Sequence, residues 1–449
     1  MQQKESPTEL GRENVRRLLF QYAIPSVIAM TAASLYNITD SAFIGQGVGP
    51  LAISGLAITF PLVNLSVAFG TLIGVGAATL MSLRLGQNDY SSANNILGNA
   101  FSMNLIIGLL YTVLVLIFLD PILYFFGASA DTIPYARDYM TVVTLGNSIT
   151  HMFFGSNALL RAIGNPRRSM YATIYSVIIN IVLTPLFIYV FGWGIRGAAL
   201  ATVIAQTTML SWQLRYFTGS RSFIRLKWKT FRLQRRIVAD SLAIGISPFL
   251  MNVATSTVVI LINQGLIRHG GDLAVGAYGI VNRVAALFMM VVIGLNQGMQ
   301  PIAGYNYGAA KYDRVRGVLN LSILLATAVM TAGFLISELF PHAVASVFTT
   351  DEELIAIAAP GLRTVMLFYP IVGFQMVTSN FFQSIGMPGK SIFMSLTRQV
   401  LFLLPLLLIL PAFWGVKGVW FSMPAADFLA SIVAALMLRA QYRKFRNNA

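Results

Sequence analysis

One carboxylate lies near the end of the first long apolar segment of this chain, at Asp40. A charged group in hydrocarbon is energetically expensive, so such a residue usually faces a cavity and marks an ion or substrate pathway. Tyr36 and Asn37 precede Asp40 by four and three residues, a spacing that predicts one shared helix face. We predict that Asp40 is a cation-coupling residue and that Tyr36 and Asn37 line a cavity beside it. The alternative is a structural carboxylate satisfied by its polar neighbours.

Two later apolar segments carry polar side chains at helical spacing. In the fifth and sixth segments these side chains are Thr173, Ser176, Asn180, Thr184, Thr202 and Gln206. Together with Asp40 they can converge on a small wet pocket, in which Gln206 is a candidate for substrate contact. Hydrogen bonding between neighbouring helices explains such stripes equally well, so both interpretations stay open.

The second half of the chain has cations inside its apolar segments. Arg283, Arg363 and Arg398 can line a cavity, pair with an acid such as Asp427, or extend to the membrane interface. We take Arg283 as a candidate for the substrate cavity. Met290 is a second candidate, because a flexible thioether suits an adaptable apolar site.

Composition defines the class of protein to which these residues belong. Of 449 residues, 56% are hydrophobic and 10% are charged, whereas soluble domains carry about 25% charged residues. The chain is therefore expected to be a polytopic membrane protein. Its net charge of +15 comes from basic clusters between apolar segments, which is typical of cytoplasmic loops and not of nucleic-acid binding. The sequence has no cysteine, so disulfides and thiolate metal sites are excluded.

Apolar segments of membrane-spanning length set the predicted architecture. A spanning helix needs about 20 apolar residues, and twelve segments satisfy this. Most basic residues fall in segments on the side of both termini, which predicts a cytoplasmic location for the N- and C-termini. The expected fold is all-α, and the predicted spans are 18–44, 51–82, 95–119, 135–160, 169–191, 195–217, 239–267, 273–303, 317–340, 354–382, 391–411 and 415–438.

The two halves of the sequence repeat each other at a constant offset, the spacing between Gly49 and Gly271. Further matching positions include Gly86 with Gly308, Gly164 with Gly386 and Pro166 with Pro388, and after a one-residue slip Trp193 with Trp414. Each half holds six spans, so both halves enter the membrane from the same side. We expect two six-helix lobes related by a pseudo-twofold axis, with a cavity between them and alternating access by rocking.

The repeat also predicts the domain boundaries and an asymmetry. The expected lobes are residues 1–217 and 239–449, joined by a basic cytoplasmic linker at 218–238 that contacts anionic lipid. The position equivalent to Asp40 in the second lobe is Ile262. Only the first lobe is therefore expected to hold a coupling carboxylate.

Motifs for enzyme chemistry are missing from the sequence. It has no Walker A loop, no dinucleotide-binding glycine motif, no HExxH and no GxSxG. Its three histidines show no metal-ligand spacing, so we expect no metal centre and no cofactor. Without an ATP-binding motif, any uphill transport must depend on an ion gradient.

Several motifs, in order along the whole chain, resemble the multidrug and toxic compound extrusion (MATE) family, in particular its DinF-like branch. These motifs are Asp40 followed by Phe43-Ile44-Gly45, then Arg161-Ala162-Ile163-Gly164-Asn165-Pro166, Gly194 to Thr202, and Gln297 to Ala309.

The resemblance implies a secondary antiporter that exports amphipathic or cationic drugs from the cell across the inner (plasma) membrane. It implies cation coupling at Asp40, with Asn180 and Thr202 at the family's helix 5 and helix 6 positions. Thr184 stands where members with a fuller site have an aspartate, which favours H⁺, although Na⁺ at Asp40 and Asn180 remains possible.

Partners expected from these arguments are small organic molecules and membrane lipids, with the chain acting as a monomer. Two alternative functions stay open. A membrane-embedded enzyme is disfavoured by the missing catalytic motifs, and we expect that the protein is not an enzyme. A lipid-linked oligosaccharide flippase of the same superfamily would need a strongly cationic cavity, for which Arg283, Arg363 and Arg398 are candidates.

Overall fold

The computed structural model describes residues 7–220 and 222–447, and within these ranges all regular structure is helical. A helix satisfies every backbone hydrogen bond within one segment, as lipid requires. Two sets of six membrane helices confirm the expected all-α, two-lobe architecture. Arg221 of the predicted linker and residues 1–6 of the predicted first lobe lie outside the described residues.

The first half contains six helices, of which α4 is interrupted and α5 continues into a π-helical turn. Their bounds are α1 Val15–Gly47, α2 Pro50–Gly86, α3 Tyr90–Ile117, α4 Ile133–Leu145 with Asn147–Ala162, α5 Pro166–Pro185 with a π-helical turn at Leu186–Val190, and α6 Gly194–Thr218.

The second half begins with one long helical run, Arg235–Gly308. The run is interrupted at Gly271, where φ is 69°, which divides it into α7 (235–270) and α8 (272–308). The remaining bounds are α9 Tyr312–Leu339, α10 Glu352–Met366 with Tyr369–Ser384, α11 Pro388–Leu396 with a π-helical segment Thr397–Leu403 and Leu404–Trp414, and α12 Val416–Asn447.

Length and hydropathy support the membrane assignment within the described residues. Eight helices are long and apolar enough to cross a membrane, or nine if the two parts of α10, bent by 52°, form one span. The run Arg235–Gly308 counts once among these but holds both α7 and α8. The two remaining helices are α4, which is broken into short pieces, and α6, whose sequence is more polar.

The internal repeat recurs in the backbone. Left-handed glycines stand at equivalent positions in the two halves: Gly49 and Gly271, Gly164 and Gly386, Gly194 and Gly415. Helix α4 breaks at Gly146, and α10 breaks at Phe368, the position that matches Gly146 in the repeat. The same turns and breaks therefore occur twice along the chain.

The described residues form two compact units. The first comprises residues 7–13, 24–249 and 304–309, and the second comprises residues 14–23, 250–303 and 310–447. The predicted coupling residues lie in the first unit. The ion pair of α11 and α12 described below lies in the second.

A buried apolar cluster in the first unit fixes the end of α1 against α5 and α6. Ile44, one turn beyond Asp40, is fully buried and shares this cluster with Ile188 and Ala198. The rings of Phe43 and Tyr189 also meet edge to face, with centroids 6.5 Å apart. This packing places Asp40 opposite the end of α5.

Glycines allow two helices of the first unit to cross closely. A Cβ added at Gly245 of α7 would lie 1.7 Å from the carbonyl oxygen of Leu72 in α2, and one added at Gly76 would lie 2.0 Å from that of Ser241. Real side chains cannot occupy such distances. The crossing of α2 and α7 therefore depends on both glycines.

The described part of the linker packs on α3. The Asn99 side chain donates to the backbone carbonyls of Thr230 and Arg232 and accepts from the Gln234 backbone amide, at 2.7–3.1 Å. Two residues before the first of these anchors, Trp228 is 92% exposed. The linker is thus ordered, and it presents an aromatic side chain outward.

Candidate cation-coupling site

Asp40 is buried in the first unit, with 5% of its surface exposed. The Thr184 hydroxyl donates to its Oδ1 atom at 3.3 Å. Thr184 lies in the last turn of α5, directly before Pro185. The acid of α1 and the polar stripe of α5 therefore meet, which is one of the arrangements that the sequence left open.

Four further contacts extend from this carboxylate into a continuous hydrogen-bonded chain. Thr184 is 3.2 Å from Oδ1 of Asn180, and the Asn180 amide donates to the Thr202 hydroxyl at 3.0 Å. Thr202 in turn lies 2.8 Å from the Tyr36 hydroxyl and donates to the Ala198 carbonyl at 3.3 Å. Three helices, α1, α5 and α6, each contribute to this chain.

The hydroxyl of Thr184 is the branching point of the chain. It has one proton and two oxygen acceptors in reach, the Asp40 carboxylate and the Asn180 amide oxygen. It can satisfy only one of them at a time. An ionised Asp40 holds the Thr184 proton, whereas a protonated Asp40 can donate to Thr184 and release that proton towards Asn180.

A cavity of about 60 Å³ adjoins the other end of the chain, enough for a few water molecules. Asp40 is not in its wall and connects to it through Thr184 and Asn180. The cavity is lined by Ala33, Tyr36, Phe153, Phe154, Thr173, Ser176, Val177, Asn180, Thr202, Ala205 and Gln206.

Three predicted cavity residues lie elsewhere. Asn37 is exposed, and its amide donates to the Ala33 carbonyl of its own helix at 3.0 Å. Arg283 is exposed on α8, and Met290 is half-buried on the same helix. Both residues belong to the second unit, outside the wall of this cavity.

Sequence reasoning missed the contribution of α4. Phe153 and Phe154 form an aromatic part of the cavity wall, and Thr150 donates to Oε1 of Gln206 at 2.5 Å. In the sequence, a pair of phenylalanines looks the same whether it faces lipid or a cavity. The polar residues of α4 also lack the clear helical stripe that identified α5.

The oxygen atoms beside Asp40 also suit a small hard cation. A carboxylate, a hydroxyl and an amide carbonyl are the ligand types that such ions prefer, and Asp40, Thr184 and Asn180 supply one of each. Among the described residues, no group of three His, Cys, Asp or Glu side chains is placed to hold a metal ion.

Two of the three arginines that the sequence singled out in the second unit have carboxylate partners. Arg398 of α11 pairs with Asp427 of α12 through a short contact between Nε and Oδ1. Arg363 lies 3.8 Å from the Glu338 carboxylate and also donates to the backbone carbonyl of Glu338. The pairing with Asp427, which the sequence left open among three arginines, thus falls to Arg398.

Comparison with known families supports the repeat and the fold together. The sequence model of the MatE family matches this chain twice, over residues 25–186 and 248–409. The spacing between the starts of these two matches agrees, to within one residue, with the spacing between Gly49 and Gly271. The two halves are therefore two copies of one family unit.

Named relatives and solved structures agree over nearly the full length. The multidrug export protein MepA of Staphylococcus aureus (strain MSSA476) is 27% identical, over 94% of this chain and 93% of its own. A crystal structure of MATE in complex with MaL6 superposes with a TM-score of 0.92 at 26% identity, covering 98% of this chain and 99% of the other. A multidrug resistance MATE family transporter of the MOP superfamily, in an outward-facing conformation, gives 0.92 at 26% identity, with 98% of each chain covered.

Proposed function

Because this chain belongs to the MATE family of multidrug transporters, we propose that it exports amphipathic and cationic organic compounds in exchange for protons, with Asp40 as the coupling residue. Sodium is the competing coupling ion. The observation that carries this proposal is the hydrogen-bonded chain from the buried carboxylate of Asp40, through Thr184, Asn180 and Thr202, to Tyr36 in the cavity wall.

The hydrogen-bonded chain could transmit the protonation state of Asp40 to the cavity. When Asp40 is ionised, the Thr184 proton is directed to the carboxylate, and Oδ1 of Asn180 loses that donor. When Asp40 binds a proton, Thr184 can turn to Asn180, whose amide contacts Thr202. Binding of a proton then biases one conformation, and loss of the proton favours the state that binds drug.

The side chains of the cavity wall suit the proposed class of substrate, but the cavity of about 60 Å³ must widen to admit a drug, since drug-sized sites enclose about 300–1,000 Å³. Tyr36, Phe153 and Phe154 present aromatic rings, and Thr173 and Gln206 add polar groups. Aromatic faces attract organic cations, and a mostly apolar wall with few polar groups is typical of small-molecule sites. The coupling of drug and proton is reciprocal, so the two need not contact the same atom.

The same proposal includes the cellular setting. A proton antiporter works in a membrane that holds a proton gradient, so we place the protein in the plasma (inner) membrane. We propose separately that it acts as a monomer. The basic linker, with Trp228 exposed between Lys227 and Lys229, is suited to the cytoplasmic lipid surface. Both termini are then cytoplasmic.

The oligosaccharide flippase alternative has less support. It required a strongly cationic cavity, but Arg363 and Arg398 each have a carboxylate partner within the described residues. Arg283 is exposed on α8 and does not line the cavity of the first unit. The carboxylate partners of Arg363 and Arg398 favour the drug antiporter.

Asp40→Asn tests the proposed function directly. We expect the variant to lose drug efflux driven by an imposed proton gradient in everted vesicles, because an amide cannot release a proton. Asp40→Glu should retain part of the activity. A sodium gradient imposed at constant pH identifies the ion, since only the gradient of the true coupling ion will drive efflux.

A matched control is Asp131→Asn, which neutralises an exposed acid outside the hydrogen-bonded chain. This variant should transport like the wild-type protein. Gradient-driven efflux at the wild-type rate by Asp40→Asn would refute the role of Asp40.

A further inference from the structure

The second unit contains a charged pair that the proposed coupling mechanism does not use. Arg398 and Asp427 meet across α11 and α12, with 18% of the arginine side chain and 1% of the aspartate side chain exposed. Burying both charges is costly unless the pair is well satisfied by hydrogen bonds. The pair therefore needs an explanation beyond helix packing.

Much of the hydrogen-bonding capacity of this pair is unused. Only Nε of Arg398 bonds to Asp427, although a guanidinium carries five N–H donors. Among the described residues, its two Nη atoms have no acceptor, and the buried Oδ2 of Asp427 and Oε1 of Gln399 have no donor. Buried polar atoms are seldom left in this state in folded proteins.

The internal repeat identifies the place of this pair in the fold. At the offset that relates Gly49 to Gly271, Arg398 corresponds to Ser176. Beyond the one-residue slip at Trp193 and Trp414, Asp427 corresponds to Gln206. Ser176 and Gln206 both line the cavity of the first unit. The ion pair thus occupies, in the second half, the positions that form a cavity wall in the first.

Neighbouring positions change character in the same direction. Phe153 and Val177 of the first cavity correspond to Gln375 and Gln399, which are 5% and 4% exposed. Conversely, the residues of the hydrogen-bonded chain have apolar counterparts in the second half. Tyr36, Asn180 and Thr202 correspond to Val258, Phe402 and Met423. At the equivalent positions, the second half therefore has the ion pair and two glutamine amides in place of the polar groups connected to Asp40.

Local backbone geometry supports a binding role for Arg398. Arg398 and Gln399 lie in the π-helical segment Thr397–Leu403 of α11. Such segments are uncommon and frequently occur at functional sites. Gln399 also donates to Thr255 of α7 at 3.2 Å, which holds its amide against α7.

The charge and shape of the pair define the ligand. Two adjacent Nη donors match the two oxygens of a carboxylate. The pair is neutral in total, so a ligand that also carries a cationic group adds no net charge to a buried site. We propose that Arg398 and Asp427 form a substrate-binding site in the second half of the chain for zwitterionic amphiphiles, with the ligand carboxylate on the Nη atoms of Arg398. This inference rests on the proposed function, the transport of organic amphiphiles.

Rhodamine B and its ethyl ester make a matched pair of probes, because both are cationic xanthene dyes and only the first has a free carboxylate. Their affinities for the purified full-length protein are measured by fluorescence anisotropy at fixed pH. Arg398→Gln should weaken binding of rhodamine B by about tenfold or more, as expected for loss of a charged hydrogen-bond donor. Binding of the ester should change by less than about twofold, and Arg398→Lys should lie between wild type and Arg398→Gln for rhodamine B.

A second variant guards against misfolding, since Arg398→Gln leaves Asp427 buried and unpaired. The double variant Arg398→Gln/Asp427→Asn removes both charges and should show the same selective loss of rhodamine B. Arg363→Gln, which removes another paired arginine of this unit, should leave both affinities unchanged.

Two results would overturn the inference: wild-type protein that does not bind rhodamine B, or variants that keep the wild-type ratio of the two affinities. Neither result depends on Asp40 or on an ion gradient. Failure of this site is therefore distinguishable from failure of the proposed antiport, which is tested by gradient-driven efflux in Asp40→Asn.

Discussion

At the scale of single residues, the proposed coupling between proton and cavity depends on Thr184. Its hydroxyl lies 3.3 Å from Asp40 and 3.2 Å from Asn180, and it has one proton to donate. A residue with a second carboxylate here would add a competing charge beside Asp40. A hydroxyl adds no charge and, in the proposed mechanism, relays the protonation state of Asp40 to Asn180.

Thr184→Val removes this hydroxyl and nearly preserves the size of the side chain. We expect proton-driven efflux to fall by about tenfold to a hundredfold, the effect of losing a hydrogen bond to a charged group worth about 1.5–3 kcal/mol. The pH dependence of efflux in proteoliposomes should shift as well. Thr184→Ser, which keeps the hydroxyl, is the control, and a valine variant with the wild-type rate and pH profile would contradict the role of this hydroxyl.

Helical spacing predicted both Tyr36 and Asn37 beside Asp40, and only one of them joins it. Tyr36, four residues earlier, belongs to the hydrogen-bonded chain, whereas Asn37, three residues earlier, is exposed. Successive residues of a helix are about 100° apart, so the two flank Asp40 on opposite sides. Periodicity alone could not decide which flank faces α5 and α6, because that depends on tertiary packing.

At the scale of helices, close crossings that only glycine permits hold the first unit together. Gly245 of α7 and Gly76 of α2 each lie against a backbone carbonyl of the other helix. The sequence shows these glycines, but glycine is also common in membrane helices for other reasons. Only the structure distinguishes a crossing from an exposed position.

Gly245→Ala should destabilise the protein, because its new Cβ would lie 1.7 Å from the Leu72 carbonyl oxygen. Overpacking of this kind costs about 1–3 kcal/mol. Gly279→Ala on α8 is the control, since no atom lies within 4 Å of an added Cβ there. Thermal unfolding in detergent should show a lower melting temperature for the first variant only, and equal melting temperatures would refute the close crossing.

The start of α3 provides a pH-dependent test outside the membrane-spanning region. Asp89 caps this helix, with its side chain accepting from the Ser92 amide at 3.0 Å. Hydrogen bonds from Ser92 lower the pKa of Asp89, so folding is favoured by the ionised form. This contribution is present above the ordinary carboxyl pKa and is lost as the pH falls through the lowered value.

Asp89→Ala should lower stability at neutral pH by up to about 1 kcal/mol, in the lower part of the range for such caps because the site is partly exposed. The difference from wild type should shrink as the pH is lowered towards about 3. Asp89→Asn keeps a capping oxygen and should lose less stability at neutral pH. A constant difference between Asp89→Ala and wild type across this pH range would exclude the capping carboxylate.

At the scale of the whole molecule, the sequence predicted most of the architecture. Apolar segment lengths gave twelve helices, and the constant offset between the two halves matched both the left-handed glycines and the two family matches. Pairwise contacts were not predictable in this way. Arg398 was one of three possible partners for Asp427, and choosing among them required knowing that α11 and α12 are adjacent.

The predicted orientation in the membrane is testable because the natural sequence has no cysteine. Lys229→Cys in the linker should react with a membrane-impermeant maleimide only in everted vesicles, and Asp131→Cys only in intact cells. Both side chains are exposed in the structure. Ala326→Cys, at a fully buried position of α9, should react from neither side, and the opposite pattern of labelling would reverse the assigned topology.

The left-handed glycines that recur in both halves also bear on the origin of the gene. Turns that recur at Gly49 and Gly271, Gly164 and Gly386, and Gly194 and Gly415 indicate that an ancestral gene for six helices was duplicated in tandem. An even number of helices lets the second copy insert in the same direction as the first, so the fusion kept a workable topology from the start. Duplication then freed each copy to diverge: the first has an acid at position 40, whereas the second has isoleucine at 262 and a charged pair at 398 and 427.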